Sequence, residues 1–222
     1  MNAASGGSEP HMLFHCQPSG IVVGRPVVAR FRVSFATGTE MAALFERDSS
    51  GNTRIELRDP SSQAIHFAWL RPSEGNSDFL VFYSERVIGV RSWPPPRTSD
   101  ALGGGSALPP ASLVRPWPPS AAPDAWLFGF FQPQRTDEHQ ELAGYDARKV
   151  LLRGHGQGAG SIRDAGECWI SESLMMVLRE RVINDDGSVE EWNITELEEK
   201  QPTGDLLATP PDFKVIDPQR KQ

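Results

Sequence analysis

The sequence predicts a mainly β fold, a β-rich α+β chain built on an antiparallel, strongly curved sheet with few short helices and a Pro/Gly-rich insertion. Three observations carry this prediction. Apolar residues recur with period two in several short runs, the spacing of half-buried strands. Turn signals rich in Gly, Pro, Asn and Asp punctuate those runs at short intervals. The 222 residues also include 20 Gly and 19 Pro, which leaves little room for long helices.

Residues 1–18 are small, polar and Gly/Ser-bearing, and read as a mobile arm. From Val27 the alternation begins: Phe31, Val33 and Phe35 share one face, with Arg30, Arg32 and Ser34 on the other. Thr37-Gly38 breaks this run, and a strand or short helix follows over Met41–Arg47. Asp48-Ser-Ser-Gly-Asn52 is a strong turn, because Asp and Asn side chains bond their own backbone and Gly supplies positive φ. In Thr53–Arg58, Ile55 and Leu57 oppose Arg54, Glu56 and Arg58. Asp59-Pro60 turns the chain into Ala64–Leu70, and Phe79–Tyr83 with Arg86–Trp93 forms a hairpin around Ser84-Glu85. This half reads as a β-meander.

Trp93-Pro-Pro-Pro96 opens a stretch to Pro123 that is dense in proline and contains Gly103–Gly105. Proline removes backbone donors, so no sheet or long helix is expected to run through it. It reads as an insertion joining two halves of one sheet. The competing reading is a Pro-rich ligand, with Arg115-Pro-Trp-Pro-Pro119 as its best fragment. Trp126–Phe131 is an apolar burst, either a strand or one helical turn, and Glu141–Leu152 follows. Gly154–Gly160 is a loop, Glu167–Ser171 a short strand, and Leu174–Ile183 and Ser188–Leu197 a hairpin closed by Asn184-Asp-Asp-Gly187. In all, about eight to eleven short strands are expected, with no parallel βαβ spacing. The domain reading is an arm at 1–18, one β-rich domain at 19–217 interrupted near 94–125, and a frayed tail at 218–222.

Composition excludes several function classes. The 22 Lys and Arg against 29 Asp and Glu give a net charge of −7, which argues against a nucleic-acid binder held by phosphate contacts. No apolar run approaches the roughly 20 residues of a membrane helix. The first residues lack the basic and apolar regions of a secretory signal, so a cytoplasmic protein and an exported one whose signal lies outside this chain both stay open. Two cysteines, Cys16 and Cys168, are compatible with one bridge or with two free thiols.

No catalytic constellation, metal site or cofactor motif emerges. Gly154–Gly160 lacks the Gly-Lys-Ser/Thr ending of a phosphate loop and is read as a hairpin tip. His11, His15 and Cys16 have ligand-like spacing but no fourth ligand nearby. His66, His139 and His155 stand outside any nucleophile motif. Asp185-Asp186 belong to a turn, and Glu190-Glu191 point to opposite faces of a strand, so neither is a converging carboxylate pair. Glu196–Lys200 reads as a solvated charged edge.

That leaves the inventory of 11 Phe, 6 Trp, 2 Tyr and 5 Met. On a curved sheet these residues either fill a core or line a pocket for an apolar ligand. Of the adjacent Met175 and Met176, only one can face the interior.

The order of motifs in the second half carries a resemblance: Gly144-Tyr-Asp-Ala147, Glu167-Cys-Trp-Ile-Ser171, Leu174-Met-Met-Val-Leu178, Asp186-Gly187, Trp192-Asn-Ile-Thr195 and Pro210-Pro-Asp-Phe-Lys-Val215. Gly24-Arg-Pro26, Ala36-Thr-Gly-Thr-Glu40 and Arg47–Arg54 agree more weakly. This order resembles a group of exported bacterial proteins of unknown function, which are distantly similar to LolA/LolB-type lipoprotein carriers. The resemblance implies a half-barrel holding acyl chains, a periplasmic or secreted location, and no catalytic residues to transfer. The function it implies is a non-enzymatic exported protein binding a hydrophobic or lipidated ligand, with lipid or lipoprotein acyl chains as partners. Candidate lining residues are Phe31, Val33, Phe35, Ile55, Leu57, Trp169, Leu178, Trp192 and Ile194. The alternative is an envelope scaffold with a filled core that contacts protein partners through the Trp/Pro-rich insertion.

Overall fold

The alternating segments become strands where the period-two pattern places them, and hydrogen bonding extends them into one long sheet. The computed structural model describes residues 21–74, 77–92, 114–116, 132–155, 162–184 and 186–217. The strands are β1 (Ile21–Val23), β2 (Val27–Ser34), β3 (Glu40–Arg47), β4 (Thr53–Arg58), β5 (Ile65–Arg71), β6 (Ser77–Phe82) and β7 (Val87–Ser92). After these come β8 (Val114–Pro116), β9 (Gln132–Leu142), β10 (Tyr145–His155), β11 (Ile162–Ser171), β12 (Met176–Ile183), β13 (Val189–Glu198) and β14 (Lys214–Ile216). Twelve of them form a sheet in the order β14-β7-β6-β5-β4-β3-β2-β13-β12-β11-β10-β9, while β1 and β8 make a separate two-stranded pair. The described residues hold strands and turns and no helix.

Two meanders meet at β2 and β13, which pair antiparallel with Trp192 opposite Val33 and Ile194 opposite Phe31. Along β2, Val27, Ala29, Phe31 and Val33 are buried, whereas Arg30 and Arg32 face solvent. The inward side chains continue across the sheet as Ala43, Phe45, Ile55, Leu57, Phe67 and Trp69, and across the join as Trp192, Leu178 and Met176. Phe31 meets Trp192 edge-to-face, with ring centroids 6.2 Å apart. Such aromatic pairs add about 0.5–1.5 kcal/mol beyond area burial.

The sheet curls around this face. Arg47 on β3 donates from Nη2 to the Leu174 carbonyl at 2.9 Å, although Leu174 lies in the turn before β12, three strands away. In a flat sheet that offset would be about 14 Å. At the same end, the Tyr145 hydroxyl donates to Glu199 at 2.9 Å, and Arg25 donates to the same carboxylate oxygen at 2.6 Å. Arg47 is 1% exposed and also donates from Nε to the Arg25 carbonyl. Burial, reinforced by the nearby Arg25 charge and opposed by Glu199, lowers its pKa to about 10, so it stays charged at neutral pH. A second buried cation, Arg71, stacks over Trp69 at 4.7 Å and donates to both oxygens of Asp78, which is fully buried.

The outer face is covered in part by the chain's last described segment. Ala68, Leu70, Val81 and Ile88 form a buried cluster against which Leu207 and Phe213 pack. Arg54 Nη1 donates to the carbonyls of Leu206 and Ala208, and Tyr83 meets Phe213 edge-to-face. A further cluster joins Val22 of β1 to Val150, Leu152, Cys168, Ile170 and Val177. Cys168 is a buried free thiol, while Cys16 lies outside the described residues. Met175 packs in this cluster and Met176 in the inner one, as their adjacency requires.

Of the two readings of Met41–Arg47, strand or short helix, the strand holds, since pairing with β2 and β4 on both sides fixes an extended backbone. Other local expectations are corrected. The run 132–142, to which the sequence assigns no element before Glu141, is the long edge strand β9, turned into β10 by Ala143 and Gly144, both at positive φ. An edge strand carrying charges on both sides has no apolar alternation to betray it. The short strand foreseen at Glu167–Ser171 runs from Ile162. Two pairings are parallel, β14 with β7 and β1 with β8, because distant chain segments dock alongside strands without a local turn to set their direction. The insertion contributes the three-residue strand β8 despite its prolines. The arm at 1–18, the rest of residues 94–125, the burst Trp126–Phe131 and the tail at 218–222 lie outside the described residues.

Three outcomes follow from this packing. Gly166 has φ +120°, and a Cβ there would overlap the Arg181 carbonyl oxygen of β12 and lie 2.9 Å from its carbonyl carbon. Gly166→Ala should therefore cost about 3 kcal/mol or more in urea denaturation, against about 1 kcal/mol for Gly38→Ala, whose site is open. Asp78→Ala removes a carboxylate from the buried Arg71 and should cost about 3–5 kcal/mol in the same assay. Burial alone would raise the Glu199 pKa, but hydrogen bonds from Arg25 and Tyr145 and the charges of Arg25 and Arg47 bring it below the ordinary 4.5. Its stabilising contribution is complete above 4.5 and disappears as pH falls through the lower folded value. Stability measured from pH 6 down to about 3 should therefore fall less steeply in Glu199→Gln than in the wild type.

Candidate functional site

At the end of the inner face opposite Arg47, four turns converge: β2–β3, β4–β5, β6–β7 and β12–β13. Each is set by local sequence. Gly38 takes positive φ between Phe35 and Thr39, whose backbones bond at 2.9 Å. The Asp59 carboxylate accepts from the Ser61 and Ser62 amides and hydroxyls. Asp186 accepts from the Ser188 amide and hydroxyl, with Gly187 at φ +83°.

Between these turns lies an open cleft of about 820 Å³. Its floor is apolar: Phe35, Met41, Leu57, Phe67 and Phe82. Leu57 and Phe67 are buried members of the inner cluster, against which Phe35, Met41 and Phe82 pack half-buried, so the cleft is the open end of the core's inner face. Phe67 and Phe82 meet edge-to-face at 5.2 Å. The cleft is lined from both sides, by Ser84 and Glu85 after β6 and by Asn184, Asp186, Ser188 and Glu190 around the β12–β13 turn. Those elements stand six strands apart and would be separated by about 29 Å in a flat sheet, so curvature makes the cleft.

The rim is acidic. Glu40, Asp59, Glu85, Asp186 and Glu190 line the cleft, and no Lys or Arg does so among the described residues. Hydrogen bonds from Ser61 and Ser62 hold the Asp59 carboxyl well below its usual range, and those from Ser188 lower Asp186. Both remain ionised in mildly acidic solution. Neighbouring arginines are drawn to the outer face. Arg58 pairs with Glu56, Arg86 with Asp212, Arg30 with Glu196 and Arg181 with Glu191. Arg54 also binds Glu56, at 2.5 Å.

The nine candidate lining residues lie in or against one buried cluster. Phe31, Val33, Ile55, Leu57, Trp169, Leu178 and Trp192 are buried in the inner cluster, and Phe35 and Ile194 pack against it. Only Phe35 and Leu57 of the nine reach the cleft, while the others lie deeper or elsewhere in the packed interior. The remaining floor residues, Met41, Phe67 and Phe82, were missed as a group because their turns meet only in three dimensions. Two acids were also missed. Glu180 is 1% exposed and stands opposite Trp192, and Glu190 is 8% exposed and two residues before Trp192 on its strand. Period two counted from Leu178 and Trp192 puts both on the inner face, which is the signal that could have found them.

The histidines separate. His66 is exposed at the cleft. His139 lies on the exposed face of β9 with Nδ1 3.0 Å from Asp146, and Arg148 Nε donates to its Nε2. The side chain of His155 and the residues His11, His15 and Cys16 fall outside the description. Asp185 does too, whereas Glu191 pairs outward with Arg181. The strip Glu196–Lys200 is largely exposed, with Glu198 paired to Lys200.

No family model matches the chain, and no curated protein matches it in sequence. Solved structures do. An uncharacterized conserved protein from Thermus thermophilus superposes with a TM-score of 0.54 at 14% identity, over 87% of this chain and 91% of its own. MucB in the Pseudomonas aeruginosa MucA/MucB complex gives 0.46 at 15% identity, over 86% of this chain and 58% of MucB's. A LolA superfamily protein from Nitrosomonas europaea gives 0.29 at 10% identity, over 80% of this chain and 87% of its own. At 14% identity the similarity to the Thermus protein is one of fold alone.

Proposed function

We propose that this protein is a non-enzymatic, exported binder of a hydrophobic or lipidated ligand, which enters at the open end of the curved sheet. The observation that carries the reading is the cleft of about 820 Å³ with Phe35, Met41, Leu57, Phe67 and Phe82 as its floor. Its size falls within the range of small-ligand sites, and half-buried aromatic floor residues that continue a packed core suit an apolar chain. Two of its hydroxyls are engaged in turn contacts: the Ser84 hydroxyl donates to Glu85 and the Ser188 hydroxyl to Asp186. Export is proposed from the sequence resemblance to exported bacterial proteins. The competing contact surface, the Trp/Pro-rich insertion, lies outside the described residues except for Val114–Pro116.

The test is native mass spectrometry of the protein purified from its own host, with organic extraction of bound material, followed by titration with dansyl-undecanoic acid. A stoichiometric adduct of lipid mass and saturable probe uptake are expected. Phe82→Glu places a charge on the floor at a half-buried position and should weaken uptake at least about tenfold while the thermal unfolding transition is retained. A clean apo mass together with no uptake of the probe by folded wild-type protein would overturn the reading.

A further inference from the structure

The edge of the sheet at β7 carries a binding geometry separate from the cleft. We propose that this edge is a capture site for an extended peptide segment of a partner protein, with an acidic residue, an aromatic one next to it and a β-branched one two positions further on. The chain's own segment 210–217 is its tethered occupant. β14 runs parallel to β7 over three residues only, with Lys214, Val215 and Ile216 opposite Val87, Ile88 and Gly89. No hairpin delivers it. All three of its side chains are exposed. Among the described residues, Val215 at 59% and Ile216 at 46% are two of three large apolar side chains left in water. A strand that buries none of its side chains gains little from apolar burial and depends on the residues just before it.

Those residues converge on Arg86. Its φ of +57° lies in the left-handed region, which a non-glycine residue seldom adopts. Its carbonyl accepts from the Lys214 amide at 2.9 Å. Its guanidinium pairs with Asp212 and stands 5.8 Å over the Phe213 ring. Tyr83 meets the same ring edge-to-face at 5.5 Å, and the ring packs against the cluster of Ala68, Leu70, Val81 and Ile88. One residue thus reads backbone, charge and ring. Main-chain pairing for affinity, with side-chain contacts for specificity, is how a sheet edge takes up a peptide. The tether gives β14 an effective concentration on the order of millimolar, which an incoming segment must outcompete. The exposed positions of Val215 and Ile216 are where such a segment gains contacts that β14 does not make.

The experiment titrates the full chain into a fluorescein-labelled peptide with the sequence of residues 210–217 and follows anisotropy. Phe213→Ala in the chain removes the anchor ring of the tethered strand and should bind the peptide at least about tenfold tighter than the wild type. Adding Arg86→Gly, which suits the left-handed turn and removes the guanidinium, should cancel that gain. Replacing the peptide's phenylalanine by alanine should abolish uptake. Unfolding temperature checks folding, and Asp212→Ala, at an exposed position, is the second releasing variant if Phe213→Ala does not fold. In the wild type, hydrogen exchange at the Lys214 amide should run far ahead of that in β2. Uptake by the folded releasing variant no better than by the wild type, or no better for this peptide than for a scrambled one, would overturn the proposal. So would a Lys214 amide that exchanges only with global unfolding, since β14 would then be a fixed strand of the sheet.

Discussion

The pairing of β2 with β13 is the constraint on which the rest of the structure depends. Each flanking meander could form by local turns, but neither alone surrounds an interior. Joined edge to edge, with Phe31 opposite Ile194 and Val33 opposite Trp192, they become one sheet whose apolar side chains share a single face. That face is too large to leave in water and has no second sheet to meet among the described residues. Curling the sheet on itself is how the inner side chains find one another. Arg47 marks the consequence: a residue of the first meander satisfies the Leu174 carbonyl in a turn of the second.

Curvature also sorts charge. The residues that alternate with the inner apolar set are rich in arginine, and on the outer face these arginines find acids of their own strand or of a neighbouring one, or the carbonyls of the closing segment. Among the described residues, Asp59, Glu85 and Asp186 of the turns at the open end make no such pair, and two of them are held ionised by serine hydrogen bonds. One end of the inner face is closed by Arg25, Arg47, Tyr145 and Glu199, the other is open and negative. Among the described residues, the two ends differ in whether a cation reaches the carboxylates, which separates a packed end of the core from an open one.

Reading the sequence recovers this arrangement unevenly, for physical reasons. Where a strand has one buried and one wet face, as in Val27–Ser34 and Thr53–Arg58, alternation gives both its identity and the face of each side chain. Where a strand is polar on both sides, as in Gln132–Leu142, alternation is absent and the element is invisible. Pairings set by docking rather than by a turn, such as β14 along β7, leave no local trace. Buried acids such as Glu180 are hidden by their type, since a carboxylate is ordinarily a surface residue even when its phase points inward.

By itself, the sequence determined the class of fold, the positions of the principal turns and the alternation of faces along strands such as β2 and β4, because these follow from period-two burial and from the backbone preferences of Gly, Asp and Asn. The nine candidate lining residues lie in or against the inner cluster. Only the tertiary structure decided that a part of the face stays open. Phe35, Met41, Leu57, Phe67 and Phe82 are distributed over five strands and their margins, and alternation says which side a residue faces but not whether atoms or space stand opposite it. The charge of the opening was likewise decided in three dimensions, by the turns that the curled sheet brings together and by the arginines it turns away.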